Sequence, residues 1–376
     1  MKDNRRHFIK KGSALAALSL VGLNTSKADL FGSAEVKVST SLEAPETKTG
    51  TPLMKIAYQA SPEPTEENIR FMQQMGIDQV VLWTDSKKAG YEYFDSRRKL
   101  YAAAGINVFG FGNFDVHNQD AIVLNLPGRD AKVEEYKNHL RNLNKAGIRY
   151  TTYAHMANGI WSTKGGKTRG DSNARSFDLA NATGGSWIEK RYEGPITHGR
   201  KYTTDEIWQN YEYFIKAVAP VAETENIRIG IHPDDPPVPE LGGIPRCIFS
   251  SFEGYKQALE IADSPNVGIC LCVGCWLEGG NLMGKDVLET IEYFGKRKKI
   301  FKVHLRNVDQ PLPHFTETFL DNGYASMYKI MKALKKVDFD GVIIADHIPS
   351  MIGAQSGSAF SVGYLKGLLE AALIEG

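Results

Sequence analysis

The stretch at residues 228–237 reads RIGIHPDDPP, and the fold can be worked out from it. It opens with a short apolar run that is typical of a strand, and the prolines that follow cannot continue a sheet ladder. The strand must therefore end at His232. This places an imidazole at the carboxyl end of the strand. Asp234 and Asp235 follow in the sequence, after Pro233.

Three later apolar runs end in a similar way. The first ends in a thiol at Cys272, the second in an imidazole at His304, and the third in a carboxylate at Asp346, with His347 beside it. Imidazole, thiolate and carboxylate groups are common ligands of divalent metals. We therefore predict that four consecutive strands present metal ligands at the same end.

The order of elements between residues 53 and 376 indicates the fold class. Eight apolar runs with strand character alternate with eight helical segments. Strict alternation predicts a parallel sheet, and eight units favour closure into a (β/α)8 TIM barrel. The first strand is followed by no glycine-rich dinucleotide loop, which disfavours an open nucleotide-binding sheet. We predict one α/β barrel domain over residues 53–376, with its chemistry at the carboxyl ends of the strands.

Composition limits the partners. The 376 residues are 42% hydrophobic and 24% charged, with a formal net charge of +1. A protein that binds nucleic acid usually carries an excess of basic residues, and this chain has none. The sequence also lacks the run of about 18 apolar residues that would predict a membrane span. The expected partner is a small molecule, and we further expect a homo-oligomer.

The amino terminus differs from the rest of the chain. A basic segment with Arg5 and Arg6 precedes a moderately apolar run over residues 14–23, and this order resembles a twin-arginine export signal. The alternative is a basic, disordered amino terminus. We predict a signal peptide over residues 1–30, a linker over 31–52 and a periplasmic location.

The four cysteines lie within 29 residues. Cys272 and Cys275 form a C-x-x-C pair, which could be a disulfide in an oxidising compartment. Cys270 and Cys272 are two residues apart on one strand and so face the same side. Since thiolates bind metals together with imidazole ligands, a metal-ligand role for Cys272 is the favoured interpretation.

The predicted metal ligands are thus His232, Cys272, His304 and Asp346. This mixed set of nitrogen, sulfur and oxygen donors suits manganese, zinc or iron better than magnesium or calcium, which prefer oxygen alone. Ligands from only half of the barrel rim would leave coordination positions open for a substrate.

Five further residues are candidates at or near the strand ends. If the chain turns after Asp346, His347 can act as an acid or base near neutral pH. Asp235 could assist a metal-ligand histidine or transfer a proton, or could belong to a solvated turn. Arg306 and Asn307 could bind a carboxylate or hydroxyls, although a rim salt bridge is the alternative for Arg306. His155 is a similar candidate for substrate binding.

Several segments resemble, in the right order, those of the mannonate dehydratase family. The most specific is IHPDDPP at 231–237. The others are GRD at 128–130, EYK at 135–137, LRNL at 140–143, LCVG at 271–274, VHLRNV at 303–308 and DH at 346–347. The resemblance runs from about Met54 to Ala372.

The resemblance implies a xylose-isomerase-like barrel and a divalent metal, typically manganese. It implies removal of water from D-mannonate to give 2-keto-3-deoxy-D-gluconate. The family's metal ligands correspond to His232, Cys272, His304 and Asp346, and its acid/base histidine corresponds to His347.

The chain also departs from the family. Residues 357–361 lack the family's tyrosine, and residues 161–164 lack its arginine. We expect a metal-dependent lyase acting on a sugar acid. The alternatives are a metal-dependent sugar isomerase or epimerase on the same barrel, and a non-catalytic periplasmic sugar-acid binding protein.

Overall fold

The computed structural model describes residues 53–375. The signal peptide and linker predicted for residues 1–52 lie outside this range and stay predictions. The barrel strands are β1 (Lys55–Ile56, continued by Tyr58–Gln59), β2 (Gln79–Thr84), β3 (Asn107–Asn113), β4 (Tyr150–Tyr153), β5 (Arg228–Ile231), β6 (Val267–Cys272), β7 (Ile300–Leu305) and β8 (Val342–Ala345). The main helices are α1 (Glu66–Gln74), α2 (Tyr91–Ala103), α3 (Arg129–Lys145), α4 (Thr204–Thr224), α5 (Phe252–Ala262), α6 (Val287–Lys296), α7 (Met327–Lys336) and α8 (Ser356–Ile374).

All strand pairs of the barrel are parallel. One sheet runs from β1 through β8, β7, β6 and β5 to β4, and the second half of β1 pairs with β2, which pairs with β3. The ring closes where β3 and β4 lie side by side, and the Thr151 hydroxyl donates a 2.9 Å hydrogen bond to the Phe111 carbonyl there. The predicted (β/α)8 barrel is confirmed.

Local sequence explains where the helices begin and end. Thr203 and Asp286 begin α4 and α6 with capping boxes, in which each side chain accepts from the backbone N–H three residues on. Gly105 and Gly147 follow α2 and α3 with φ values of 75° and 74°. A residue without a Cβ adopts this left-handed geometry at little cost, so both helices stop there.

Apolar side chains form two separate cores. The larger core fills the space between the strands and the helices. A small inner core of Ala57, Val81, Val342 and Ile344, with Phe109 against it, lies inside the barrel. In the β-ladder His304 stands opposite Ile344, and Cys272 stands opposite His304. Both site residues therefore share the inward side of the sheet with Ile344.

A long segment between β4 and α4 folds over the carboxyl side of the barrel. Within it, Ser176–Asp178 pairs with His314–Thr318, which in turn pairs with Asn307–Val308 directly after β7. This three-stranded sheet carries Arg175 and Glu317 to the mouth of the barrel.

Among residues 53–375, no helix combines the length and the apolar character that a membrane crossing requires.

Candidate metal centre and active site

Three of the predicted ligands meet at the carboxyl ends of β6, β7 and β8. The Cys272 Sγ and His304 Nδ1 atoms each lie 3.7 Å from Asp346 Oδ2. One donor atom from each of the three residues lies within 4.8 Å of the others. Adjacent parallel strands in register bring these chain positions together.

The fourth predicted ligand, His232, follows β5 and borders the same cluster. Its ring centroid lies 5.2 Å from that of His304, and one of its nitrogens is within 4.8 Å of the Cys272 and Cys275 sulfurs. Its Nδ1 lies 2.7 Å from the Pro233 carbonyl oxygen, so Nδ1–H donates to it. Nε2 is thereby left as the acceptor atom.

The cluster has the properties of a divalent-metal site. His304 Nδ1 is buried and has no hydrogen-bond partner among residues 53–375, although buried polar atoms are almost always paired. Burial alone would raise the pKa of Cys272 and Asp346. The hydrogen bond from Cys275 and the Arg306 charge lower the pKa of Cys272 instead, and the charges of His347, His304 and Arg306 lower that of Asp346. Two imidazoles, a thiolate and a carboxylate fit manganese, iron or zinc.

A buried network of charged side chains lies beside the cluster. Arg306 is 1% exposed and contacts Glu317 at 2.9 Å, Glu278 at 3.0 Å and Asp235 at 3.3 Å. Arg175 contacts the same three carboxylates. Burial, only partly offset by Arg306, raises the pKa of Glu278 to about 8. Glu278 is therefore mostly protonated at neutral pH, and two guanidinium groups face two charged carboxylates.

This network argues against a second metal. Asp235, Cys275 and Glu278 also offer donor atoms within 4.8 Å of one another. However, Arg306 Nη2 lies 3.2 Å from Cys275 Sγ and 3.0 Å from Glu278, so a guanidinium already neutralises this group. Gly274 leaves room for the Arg306 side chain, because a Cβ at residue 274 would lie 2.0 Å from Arg306 Nε.

His347 is the accessible titratable group of the site. Its φ of 45° turns the chain after Asp346, so that both side chains reach the mouth. Its Nδ1 lies 2.8 Å from Glu317 Oε1, and its side chain is 35% exposed. Burial lowers its pKa, but the charges of Asp346 and Glu317 outweigh this effect and raise it to about 9. The ring is held by a buried carboxylate and remains open to a substrate.

Two other predicted site residues belong to the buried network. Asp235 is 1% exposed and ion-paired with Arg175 and Arg306, which lower its pKa against the effect of burial. It is not part of a solvated turn. Arg306 is fully enclosed and does not form a salt bridge on the rim. Both residues adjoin the cluster, and the catalytic role of Asp235 and the substrate-binding role of Arg306 remain predictions.

The structure does not bring the last two candidates to the cluster. The Asn307 amide donates to the Leu320 and Ala325 carbonyls, and its oxygen accepts from backbone N–H groups, so it organises the loop after β7. The His155 ring packs against Tyr211 and Phe249, and its Nδ1 lies 2.7 Å from Tyr153 Oη. None of these contacts leads to the metal ligands, and the substrate-binding role of both residues remains a prediction without support.

Sequence reasoning missed Glu278, Glu317 and Arg175. A sequence signal exists for Glu278, which is the only carboxylate in the otherwise apolar helix Val273–Gly279. Glu317 and Arg175 lie in short segments without a clear periodic pattern, and long-range strand pairing brings them to the site. All four cysteines are free, so the alternative of a Cys272–Cys275 disulfide is not seen.

The fold and the site together define a xylose-isomerase-like barrel with a metal-type centre at its mouth. The family model described as D-mannonate dehydratase (UxuA) matches residues 188–374. Mannonate dehydratase from Oceanobacillus iheyensis is 32% identical over 319 residues, covering 77% of this chain and 86% of that protein. The crystal structure of mannonate dehydratase from Streptococcus suis serotype 2 is similar with a TM-score of 0.74 at 27% identity, covering 86% and 95% of the two chains.

A xylose isomerase domain protein from Planctomyces limnophilus shares the fold alone, with a TM-score of 0.56 at 13% identity over 86% of this chain and 99% of that one. The chain belongs to the mannonate dehydratase family. It is a hydro-lyase acting on a sugar acid, and its family is generally metal-dependent. This result sets aside both alternatives, the sugar isomerase and the non-catalytic binding protein.

The location predicted from the amino-terminal residues is wrong. The mannonate dehydratases to which this chain is similar are cytoplasmic enzymes, which contradicts a periplasmic site of action.

Proposed function

We propose that this hydro-lyase removes water from D-mannonate, or from a closely related hexonate, to give the 2-keto-3-deoxy acid. The observation that carries the proposal is the position of His347. It is the most exposed titratable side chain among the site residues described above, and it adjoins Asp346 at the edge of the ligand cluster.

We infer that His232, Cys272, His304 and Asp346 hold the metal, and we expect manganese. A bound divalent cation supplies Lewis acidity toward the substrate carboxylate and its neighbouring hydroxyl, which makes the proton on carbon 2 more acidic. The residues of this chain supply the donor atoms, the surrounding charge and the proton transfer.

Overall, the reaction breaks the C–H bond at carbon 2 and the C–O bond at carbon 3, and the hydroxyl leaves as water with a proton from His347. The proton from carbon 2 passes to solvent and balances the proton that restores His347. The resulting enol moves its hydroxyl proton to carbon 3 and becomes the 2-keto acid. The carboxylates of Asp346 and Glu317 raise the pKa of His347, and the contact of Glu317 with Nδ1 favours the protonated imidazole. His347 is therefore suited to donate a proton to the departing hydroxyl. Glu317 holds Nδ1, which leaves Nε2 to face the substrate.

The test uses the purified full-length protein, stripped of metal by a chelator and reloaded with manganese, zinc or iron. D-mannonate, D-gluconate and hexuronates are supplied separately, and the products are identified by NMR and mass spectrometry. We expect loss of 18 Da from D-mannonate and the signals of a 2-keto-3-deoxy acid. A product of unchanged mass from a hexuronate, or no turnover of any hexonate by metal-loaded protein, would contradict the proposal. Light scattering on the same sample tests the expected homo-oligomer.

A further inference from the structure

A second layer of polar side chains lies inside the barrel, one step below the metal-ligand cluster. In the ladder between β6 and β7, Cys270 stands opposite Lys302 and Cys272 stands opposite His304. Residues two apart on a strand face the same side, so Cys270 and Lys302 point inward directly beneath Cys272 and His304. Cys270 and Lys302 are both fully buried.

The imidazole of His304 connects the two layers. Its Nδ1 faces the upper layer, 3.7 Å from Asp346 Oδ2 and without a hydrogen-bond partner. Its Nε2 faces the lower layer, 3.6 Å from Cys270 Sγ, which is within hydrogen-bonding range for sulfur.

This geometry fixes what each nitrogen can do. A neutral imidazole that offers the lone pair of Nδ1 to a metal carries its proton on Nε2. In a buried site that proton requires an acceptor, because an N–H that is removed from water and left unpaired destabilises the fold. The Cys270 sulfur is the acceptor that the structure provides.

Lys302 and Tyr150 complete the lower layer. Lys302 is the neighbour of Cys270 in the ladder, and its Nζ lies 5.9 Å from the centroid of the Tyr150 ring. Among residues 53–375 this Nζ has no hydrogen-bond partner, so Lys302 does not compete for the Cys270 sulfur. A Cβ on Gly230 would lie 2.4 Å from the Tyr150 hydroxyl oxygen, so glycine at this position leaves room for Tyr150.

We propose that Cys270 is a positioning residue for the metal centre. It accepts the Nε2–H of His304 and thereby fixes the tautomer and ring orientation that aim Nδ1 at the cluster. The inference rests on the metal site of the proposed function but not on the identity of the substrate. Outer partners of this kind typically contribute about 10–100-fold to metal affinity.

The test compares the metal affinity of Cys270→Ala, Cys270→Ser and the control Cys247→Ala, using manganese and cobalt in competition with a chelator. Cys247 is a half-exposed thiol outside the cluster. We expect about 10–100-fold weaker binding in Cys270→Ala. Cys270→Ser should recover part of the loss, and Cys247→Ala should bind like wild type. The absorption spectrum of the cobalt-loaded protein should change in Cys270→Ala, because the His304 ring is no longer held.

A second measurement does not depend on the folding of Cys270→Ala. NMR of zinc-loaded protein labelled with ¹⁵N-histidine reports which nitrogen of His304 carries the proton, with His304→Asn used only to assign the signal. We expect Nε2–H in the metal-loaded wild type, and Nδ1–H would overturn the inference even if Cys270→Ala failed to fold. Wild-type affinity in Cys270→Ala would also overturn it. Failure of the wild type to bind any metal would instead contradict the proposed function.

Discussion

The Nδ1 atom of His347 lies 2.8 Å from the Oε1 atom of Glu317. The two residues come from different elements, since His347 follows β8 and Glu317 lies in the strand His314–Thr318 that crosses the barrel mouth after β7. A buried carboxylate against one imidazole nitrogen fixes the ring and leaves the other nitrogen for chemistry. Glu317 is therefore a positioning residue for the proposed proton donor.

Glu317→Gln should lower kcat by about 10–100-fold, the range typical when an outer partner of a functional histidine is removed. The amide keeps the size of the side chain but loses the charge that holds His347. Metal content, measured by elemental analysis, should stay near wild type, because the four ligands are unchanged. A kcat equal to wild type would mean that the Glu317–His347 contact is not needed for turnover.

His347→Asn should lower turnover at least about a hundredfold while the metal is retained. A well-placed acid or base contributes about 10²–10⁴-fold, and asparagine can form hydrogen bonds but cannot transfer a proton at neutral pH. Steady-state kinetics and elemental analysis on the same preparation check both parts. Loss of metal together with activity would place His347 among the ligands, and full activity would rule it out as the proton donor.

His232→Ala and Asp346→Asn should each reduce bound metal well below one per chain. Asp346→Asn changes one of three residues whose donor atoms lie within 4.8 Å of one another, the others being Cys272 and His304. His232→Ala removes the imidazole that borders them, with its ring centroid 5.2 Å from that of His304. Circular dichroism should show an intact barrel, because the apolar cores are unchanged. His314→Ala is the matched control, since His314 is exposed and contacts Gln310. Full metal occupancy in both test variants would contradict the site.

Arg175→Ala should destabilise the fold by about 3 kcal/mol or more, because it leaves Asp235 and Glu317 buried with less compensating charge. Arg169→Ala is the control from the same segment. Arg169 also binds a carboxylate through two nitrogens, on Asp321, but its side chain is 48% exposed, so its loss should cost less than about 1 kcal/mol. Urea unfolding measures both. If both variants lose the same free energy of unfolding, the buried ion pairs of Arg175 stabilise the fold no more than the exposed ion pair of Arg169.

The sequence was sufficient for the barrel because strand and helix alternation is a local pattern. It also predicted that His232, Cys272, His304 and Asp346 stand at strand ends, and each lies within one residue of the end of its strand. Their role as metal ligands stays a prediction. Arg175 and Glu317 could not be found in this way. They reach the site only because Ser176–Asp178 pairs with His314–Thr318, and no local pattern encodes a pairing over that distance.

Two further candidates lack structural support for a related reason. Asn307 and His155 have the residue types expected of a substrate site and stand near strand ends. In the folded chain, backbone groups satisfy the polar atoms of Asn307, and aromatic rings enclose His155. The type of a residue and its place in the sequence do not show whether its polar atoms form hydrogen bonds within the folded protein or remain free to bind a substrate.

The pairing of Arg175 and Arg306 with Asp235, Glu278 and Glu317 has a consequence for sequence variation. In this buried set two guanidinium groups face two charged carboxylates and a protonated one, so a charge that is added or lost inside it leaves another without compensation. A relative that lacks the arginine at position 175 should therefore also lack one of the carboxylates, or supply a cation from another segment. Among homologues, these positions should change together and rarely one at a time.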